Sequence, residues 1–221
     1  MNDFSNRTDA GQTLAGLLAA YNEREDALVL GLPRGGVPVA FEVAAALQLP
    51  LDVMVVRKLR APGQPEFAIG AIASGGISVL NEEIAPFVCD PVQLRAEMHR
   101  QHQELSYRER LYRNDRLPLD VKRRTVILID DGAATGASMR AAIRAARKLG
   151  ATRIVAAVPV GSSEALRALR DEADEVVCAL EPALFVSVGQ WYRDFDQTDD
   201  SEVTALIAQS RARPLKLEHE H

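Results

Sequence analysis

Short apolar runs alternate along this chain with segments in which apolar residues recur every three to four positions. The runs predict buried strands at residues 27–32, 52–57, 125–130, 153–159 and 175–180. The other segments predict helices at residues 9–21, 38–47, 135–149, 162–171 and 200–210, with Asp9 or Thr8 capping the first and Asp200 the last. Because strands that are apolar at nearly every position are covered on both faces, we expect an α/β fold with a mainly parallel, doubly wound sheet.

The middle of the chain, residues 60–122, breaks this alternation and predicts an inserted lobe. Two prolines and a glycine predict a loop over residues 60–66. Residues 68–80 can form two short strands around a Gly-Gly pair, and residues 91–112 predict a strongly charged helix. We expect that helix to be exposed or to face another subunit.

The composition fits one globular domain of ordinary size. The chain has 221 residues, of which 47% are hydrophobic and 26% charged, which excludes a fibrous or largely disordered protein. Its net charge of -5 argues against nucleic-acid binding through bulk charge. We expect a single domain over residues 1–214, with an aromatic-rich segment at about 183–200 as a candidate hood. Residues 215–221, LKLEHEH, resemble the junction of an expression tag.

The first residues and the cysteine usage of the chain predict a cytoplasmic protein. The two cysteines are too few for a disulfide framework and lack the spacing of zinc ligands. The first twelve residues have neither the basic nor the apolar region of a signal peptide. No apolar stretch approaches the roughly 18 residues of a membrane helix. We therefore expect no membrane association.

Two acids, a loop of small residues and a helix start follow the strand at 125–130. Asp130 and Asp131 come first, and residues 132–137 are glycine, alanine and threonine. In open α/β sheets ligands bind beyond the carboxyl ends of strands, and unpaired N–H groups at a helix start bind phosphate. Two carboxylates would repel that phosphate unless a neutral or cationic group lies between the carboxylates and the phosphate. A sugar with vicinal hydroxyls meets this requirement.

Other interpretations of this segment fit less well. A turn with a capping acid is possible, although a cap needs only one short polar residue. A Walker loop needs Gly-Lys-Ser/Thr, and the dinucleotide fingerprint needs Gly-x-Gly-x-x-Gly directly after the strand. Neither pattern is present here.

Residues 126–139, VILIDDGAATGASM, resemble the 5-phosphoribosyl-1-pyrophosphate (PRPP) motif of type I phosphoribosyltransferases. The resemblance implies the fold of that family. It also implies that Asp130 and Asp131 are catalytic, contact the ribose hydroxyls and hold Mg²⁺ directly or through water. The residues implied to wrap the 5′-phosphate are Ala133, Ala134, Thr135, Gly136, Ala137 and Ser138.

A second glycine-rich loop, GLPRGG at residues 31–36, follows the first predicted strand. Gly35 and Gly36 expose backbone N–H groups, and Arg34 offers a forked cation that suits phosphate oxygens. In similar enzymes a pyrophosphate-binding loop at this position often holds a cis non-proline peptide bond, which here would be Pro33–Arg34. A glycine turn without a ligand is the alternative.

Basic residues end the second predicted strand. Orotate phosphoribosyltransferases carry a similar Arg-Lys pair, which leads into a mobile loop that closes over PRPP. The resemblance implies that Arg57 and Lys58 bind pyrophosphate, that Lys58 is catalytic, and that residues 60–67 form the closing loop. A solvated basic strand end is the alternative.

Within this family the chain is most similar to an uncharacterised bacterial group of predicted phosphoribosyltransferases. The segments that carry the likeness are residues 4–11 (FSNRTDAG), 57–59, 65–70 and 188–197 (VGQWYRDFDQ). The resemblance to that group does not identify the acceptor.

Acceptor specificity has few sequence signals. Trp191 and Tyr192 are candidates because an aromatic ring can stack on an acceptor ring, although an aromatic cluster closing the core is an equal alternative. Ala134 stands where purine-salvage relatives of the hypoxanthine-guanine type have a third acid. This departure weakens a 6-oxopurine acceptor without selecting another.

The resemblance implies an enzyme that uses PRPP and Mg²⁺ to transfer phosphoribose to a nitrogenous, nucleobase-like acceptor, with release of pyrophosphate. We expect a homodimer that binds no nucleic acid. Two alternatives stay open: a regulator that binds PRPP or a nucleotide without turnover, and a hydrolase of phosphoribosyl compounds.

Overall fold

The chain folds as a sheet between layers of helices in a computed structural model, which describes residues 4–61, 64–80, 90–114 and 118–212, and only the backbone at 64–68. The strands in chain order are β1 (Ala27–Gly31), β2 (Leu51–Val53), β3 (Val56–Ala61), β4 (Gln64–Ala73), β5 (Ile77–Leu80), β6 (Thr125–Ile129), β7 (Arg153–Val160) and β8 (Glu175–Leu180). The helices are α1 (Arg7–Leu17), α2 (Gly36–Ala46), α3 (Pro91–Arg113), α4 (Ala137–Lys148), α5 (Ser163–Arg170) and α6 (Asp200–Ala212). Short 3₁₀ turns lie at Ala19–Tyr21, Ser74–Gly76 and Gly189–Trp191.

The main sheet is parallel and has the order β2-β1-β6-β7-β8. Strands β1, β2, β6 and β7 are buried on both faces, and the edge strand β8 is partly buried. Helices α1, α2, α3 and α6 pack on one side of the sheet, and α4 and α5 pack on the other. The predicted α/β, doubly wound architecture is confirmed. The chain runs from β1 outward to β2 and later returns to β6 on the other side of β1, so the strand order reverses between β1 and β6. Ligands of such sheets bind at this switch point.

The second predicted strand, at 52–57, is two strands in different sheets. β2 pairs with β1, whereas β3 pairs with β4 in an antiparallel sheet of order β3-β4-β5. The backbone changes partner between them: Met54 N–H donates to the Gly31 carbonyl, and Val55 N–H donates to Ser74 Oγ. An apolar run alone could not reveal this change of partner.

The predicted loop over 60–66 is largely strand. β3 extends to Ala61 and β4 begins at Gln64, with register shifts between Leu59 and Ala61 that accommodate the irregular sequence. Residues 62 and 63, the centre of the expected closing loop, lie outside the described residues. The two short strands expected within 68–80 are present, as the end of β4 and as β5.

The charged helix α3 is only partly exposed. Its Leu105 and Tyr112 are almost fully buried in the core beside the main sheet, and Asp90 caps its start. The expectation of a wholly exposed or subunit-facing helix is therefore wrong for this face. No helix in the described part of the chain has both the length and the apolar character needed to cross a membrane.

Two predicted caps are also shifted. Asn6 caps α1 by accepting the Asp9 N–H, while Asp9 accepts the N–H of Ser5. α6 begins at Asp200, and the side chain of Asp199 accepts the Glu202 N–H. The carboxylate of Asp200 therefore has another contact, which is described below. The chain end at 215–221 lies outside the described residues.

Candidate active site

Two loops meet at the switch point between β1 and β6. Leu32, directly after β1, donates its N–H to the Ile129 carbonyl at the end of β6 (2.8 Å). A Cβ atom on Gly36 would lie 2.6 Å from the Ile129 carbonyl oxygen and 2.8 Å from Asp130 Cα. One on Gly35 would overlap the Asp131 carboxylate. The two glycines therefore let the loop after β1 lie directly against the acid pair.

The close contact at Gly36 makes a testable prediction. Gly36→Ala should lower the free energy of unfolding by about 1–3 kcal/mol, because the added methyl meets backbone atoms that cannot rotate away. Thermal unfolding measures the change. Gly16→Ala is the control: it lies in α1 with no atom within 4 Å of the added Cβ, and it should be neutral or stabilising. Equal stability of the two variants would contradict the close packing.

Asp130 is partly buried between the two loops. One of its oxygens accepts the N–H of Asp131 (2.9 Å). Burial raises the pKa of Asp130 well above its ordinary value, and the neighbouring charge of Asp131 raises it further. A group in this position gains most from a ligand that supplies hydroxyl donors or a cation.

Arg7, from the first turn of α1, binds the second acid. Its Nε and Nη2 donate to Asp131 Oδ2 at 3.0 and 2.8 Å, and both side chains are mostly buried, at 12% and 16% exposure. The same guanidinium donates to the Asp196 carbonyl and stacks on the Phe195 ring, 4.1 Å from its centroid. The charge of Arg7 opposes the rise in the pKa of Asp131 that burial causes. Sequence reasoning assigned no role to Arg7, although it lies in the FSNRTDAG segment that carried the family likeness.

The small-residue loop after the acids is anchored at one end and open at the other. Ala133 donates its N–H to Val160 and accepts the N–H of Ser162 (both 2.9 Å), which ties it to the end of β7. Gly136 has a left-handed conformation, φ +68°, that favours glycine. Across the described ranges, no hydrogen bond uses the N–H groups of Ala134, Thr135 or Gly136. Together with the start of α4 they are N–H groups of the kind that can bind an anion.

The loop after β1 has the expected cis peptide bond at Pro33–Arg34. The side chain of Arg34 extends toward the start of α6, where its Nη1 lies 4.0 Å from Asp200 Oδ1. Gly35 and Gly36 lie against the acid pair, and Arg34 adds a cation beside them. The expectation that both glycines expose their N–H groups is wrong for Gly36, whose N–H donates to the Leu32 carbonyl (3.1 Å). The structure thus brings together the predicted residues of both loops.

Arg57 and Lys58 of β3 point to opposite faces of the strand. Arg57 donates from Nε to Gln101 of α3 (3.1 Å), whereas Lys58 lines a cavity of about 140 Å³ with Ala137 and Arg140 at the start of α4. Successive side chains of a strand point to opposite faces, which explains the separation. Lys58 therefore lies beside the start of α4, and Arg57 faces α3.

The predicted hood segment covers the acid pair. Tyr192 is buried, donates its hydroxyl to the Asp131 carbonyl (2.6 Å), and packs with its ring centroid 5.5 Å from that of Phe4 and 4.9 Å from that of Phe195. This geometry favours the alternative of an aromatic cluster closing the core. Trp191 is only half-buried, so it is the better placed of the two acceptor candidates.

Comparison with known sequences decides the family. A profile described as the phosphoribosyl transferase domain matches residues 6–194, which include both loops, β3 and most of the hood. The chain belongs to the phosphoribosyl transferase family. The matched range also includes Arg7, whose contacts with Asp131 therefore lie within the domain.

Relatives of this phosphoribosyl transferase include a protein of known structure. A predicted phosphoribosyl transferase of Mycobacterium tuberculosis, in strains H37Rv and CDC 1551, is 47% identical over 208 residues. The match covers 94% of this chain but 47% of the relative, so the chain spans about half the length of the curated relatives it matches. TT1426 from Thermus thermophilus, whose crystal structure is known, is 45% identical in sequence to this chain. The two structures superpose with a TM-score of 0.83, and the match covers 94% of this chain and 98% of that one. The fold is therefore shared with that solved protein.

Proposed function

We propose that this phosphoribosyl transferase binds PRPP between β1 and β6 and transfers its phosphoribosyl group to a nitrogenous acceptor, releasing pyrophosphate. The observation that carries the proposal is the position of the partly buried Asp130 between two loops that could each bind an anion. On one side are the backbone N–H groups of residues 134–136, and on the other are Arg34 and the Gly35-Gly36 turn. A sugar with phosphate at one end and pyrophosphate at the other matches that order of charges.

Each part of the site has a role in this reaction. The loop at 134–136 would hold the 5′-phosphate, and the carboxyl oxygens of Asp130 would accept hydrogen bonds from the ribose hydroxyls. In the reaction the acceptor nitrogen gives the electron pair of the new bond to the anomeric carbon. The pyrophosphate oxygen leaves with the old pair, and the proton of the acceptor passes to water. A carboxylate near the ribose stabilises the positive charge that develops on the sugar.

The residues at the site also fit Mg²⁺. Among the described residues, no cluster of three or more His, Cys, Asp or Glu side chains could enclose a metal by itself. Mg²⁺ commonly binds one or two carboxylates together with substrate phosphates and water, so such a cluster is not needed. Asp130 and the Oδ1 atom of Asp131 are the oxygens that would hold it, since Oδ2 of Asp131 is bound by Arg7. When bound, Mg²⁺ neutralises charge on the leaving pyrophosphate.

Two residues near the acid pair in sequence or in space bear on the acceptor class. Trp191 offers a half-buried aromatic face for a ring, and Ala134 provides no acid to remove a ring proton. These features support a nitrogen heterocycle as the acceptor. Its reacting nitrogen would have to attack without losing a proton to the side chain at position 134. The family membership supports transfer, while the identity of the acceptor rests on this geometry.

Release of pyrophosphate from PRPP tests the proposal. Purified protein with Mg²⁺ and PRPP is given a panel of nitrogenous acceptors, and pyrophosphate is measured with and without each one. Acceptor-dependent release is expected. Tight PRPP binding without any release would favour the regulator, and release that is independent of an acceptor would favour the hydrolase.

We also propose that the protein is a cytoplasmic homodimer. Val92 and Tyr107 of α3 are more than half exposed, and such apolar side chains are suited to a contact with a second copy. Light scattering after size exclusion should give twice the chain mass. A monomer at micromolar concentration would overturn this part of the proposal.

A further inference from the structure

The first described residues of the chain are tied to the hood by backbone hydrogen bonds. Phe4 donates its N–H to the Trp191 carbonyl (2.9 Å), and its own carbonyl accepts the N–H of Arg193 (2.9 Å). The carbonyl of Ser5 accepts the N–H of Asp194 (3.0 Å). The hood is therefore held along its backbone by the segment that leads into α1.

Arg7 extends this tie from the hood to the acid pair. Its Nε and Nη2 donate to Asp131 Oδ2, its Nη1 donates to the Asp196 carbonyl (2.7 Å), and its guanidinium lies over the Phe195 ring. Because a guanidinium group is flat and rigid, these three contacts cannot change independently. A rotation of the Asp131 carboxylate must shift the guanidinium against the ring or break a hydrogen bond.

The contacts continue from Phe195 into the middle of the hood. Its ring centroid lies 4.9 Å from that of Tyr192, and a Cβ on Gly189 would lie 2.9 Å from its Cδ1 atom. Gly189 and Trp191 are the ends of one 3₁₀ turn, so a shift of the Phe195 ring reaches Trp191 through close packing.

The hood thus meets Asp131 by two routes that differ in kind. Tyr192 donates to the backbone carbonyl of Asp131 (2.6 Å), which is fixed by the fold. Arg7 donates to the carboxylate of Asp131, which is the group that would gain a new partner when a ligand binds. Only the Arg7 route can therefore carry a change of ligand to the hood.

We infer that Arg7 is a positioning residue that couples ligand binding at Asp131 to the position of the hood. The inference rests on the proposed function, because PRPP with Mg²⁺ is the ligand proposed to reach Asp131. A cation or a sugar hydroxyl at Oδ1 competes with Arg7 for the charge of the carboxylate and weakens its hold on Oδ2. The guanidinium then shifts on the Phe195 ring, and the hood moves with it. Trp191, an acceptor candidate, is set by this step.

The competing explanation is that Arg7 only clamps the folded chain. Both explanations predict that loss of Arg7 lowers stability, so unfolding experiments cannot distinguish them. They differ in what the hood does when a ligand binds. A clamp keeps the hood still, whereas a coupling residue makes the hood move as Asp131 becomes occupied.

Fluorescence of the hood distinguishes the two explanations. Trp191 is the only tryptophan of the chain and is half-buried, so its emission reports on the hood alone. Unaltered protein is titrated with PRPP and Mg²⁺, and binding is measured separately by calorimetry. We expect the emission to change in proportion to the occupancy that calorimetry gives.

Two variants interrupt the route at different points. Arg7→Lys keeps a positive charge beside Asp131 but can neither fork nor stack in the same way. Its affinity for PRPP should stay within about tenfold of the unaltered protein, because the neutralising charge is retained, while most of the emission change is lost. Phe195→Leu leaves the ion pair in place and removes the ring. It should bind PRPP with nearly unchanged affinity and also lose most of the emission change, and it decides the question if Arg7→Lys does not fold or does not bind.

A matched control comes from the amino end of β1, away from the carboxyl ends of the strands where the acids lie. Arg24 also pairs with an aspartate, Asp26 (2.9 Å), and its guanidinium carbon also lies near an aromatic ring, 5.5 Å from the centroid of Tyr21. Arg24→Lys therefore makes the same chemical change outside the proposed route. It should alter neither the affinity for PRPP nor the emission change.

The outcomes separate this inference from the proposed function. An emission change caused by direct contact of PRPP with Trp191 would persist in both variants, so a full change in either variant that binds PRPP overturns the inference. Binding to the unaltered protein without any emission change also overturns it, and in both cases the proposed function stands. If the unaltered protein does not bind PRPP, the inference and the proposed function both fall.

Discussion

Asp130→Asn should lower phosphoribosyl transfer by about 100- to 1,000-fold while making the ligand-free protein more stable. The carboxylate is the group proposed to meet the ribose and Mg²⁺, and an amide can supply neither its charge nor its second acceptor. In the free protein the same charge is buried beside Asp131, which raises its pKa. Replacing it with a neutral group of equal shape should raise the free energy of unfolding by about 0.5–2 kcal/mol.

The stability gain should depend on pH in a defined direction. Because the folded-state pKa of Asp130 is raised, the folded protein holds this proton more tightly than the unfolded chain. Ionisation of Asp130 therefore costs stability as pH rises through the folded pKa. The advantage of Asp130→Asn should be full above the raised folded-state pKa, shrink as pH falls below it, and vanish below the value of about 4 at which an ordinary aspartate is protonated.

Thermal unfolding of both proteins across pH, without Mg²⁺ or PRPP, measures this effect. Asp131→Asn is the matched control, since it removes the neighbouring carboxylate and leaves Arg7 without its partner. It should be destabilising where Asp130→Asn is stabilising. A lower melting temperature for Asp130→Asn at neutral pH would show that Asp130 has a stabilising partner in the free protein.

Arg7→Gln should be the more damaging change to the fold. It leaves the Asp131 carboxylate mostly buried without its cation, removes the group stacked on Phe195, and removes the donor to the Asp196 carbonyl. Loss of one member of a buried ion pair costs about 3–5 kcal/mol. Affinity for PRPP should fall as well, because an unneutralised carboxylate then faces a polyanion.

A double-substitution cycle isolates this pair. Arg7→Gln combined with Asp131→Asn should recover part of the stability, since neither buried charge is then left alone. Arg193→Gln is the control: it lies in the hood segment that Arg7 contacts but is exposed, and it should change the free energy of unfolding by less than about 0.5 kcal/mol. An Arg7→Gln protein as stable as the unaltered chain would contradict the role of this ion pair.

The sequence was most informative where function and structure are local. The strand, the two acids, the small-residue loop and the helix start occupy consecutive positions, so their pattern predicted both the β6 region and the candidate site. The same holds for the loop after β1, where glycines and Arg34 follow a buried strand directly. Their meeting at the switch point follows from the order of parallel strands.

Contacts between distant parts of the chain could not be predicted in this way. Arg7 and Asp131 are 124 positions apart, and nothing in either local pattern indicates their pairing. Arg57 and Lys58 are adjacent, yet strand alternation separates them onto two faces, which depends on the unrecognised change from β2 to β3. As an aromatic residue, Tyr192 was a candidate to stack on an acceptor ring. Its ring is instead buried against Phe4, near the other end of the chain.

The closure of the site by Phe4, Arg7 and the hood affects the order in which a newly made chain can mature. Synthesis proceeds from the amino end, so Asp131 leaves the ribosome well before Tyr192 and Phe195 exist. Until those residues emerge, the Arg7 guanidinium lacks both its stacking ring and the Asp196 carbonyl. A nascent chain can therefore assemble the sheet before Arg7, Asp131 and the hood come together, so the candidate site is completed late in folding.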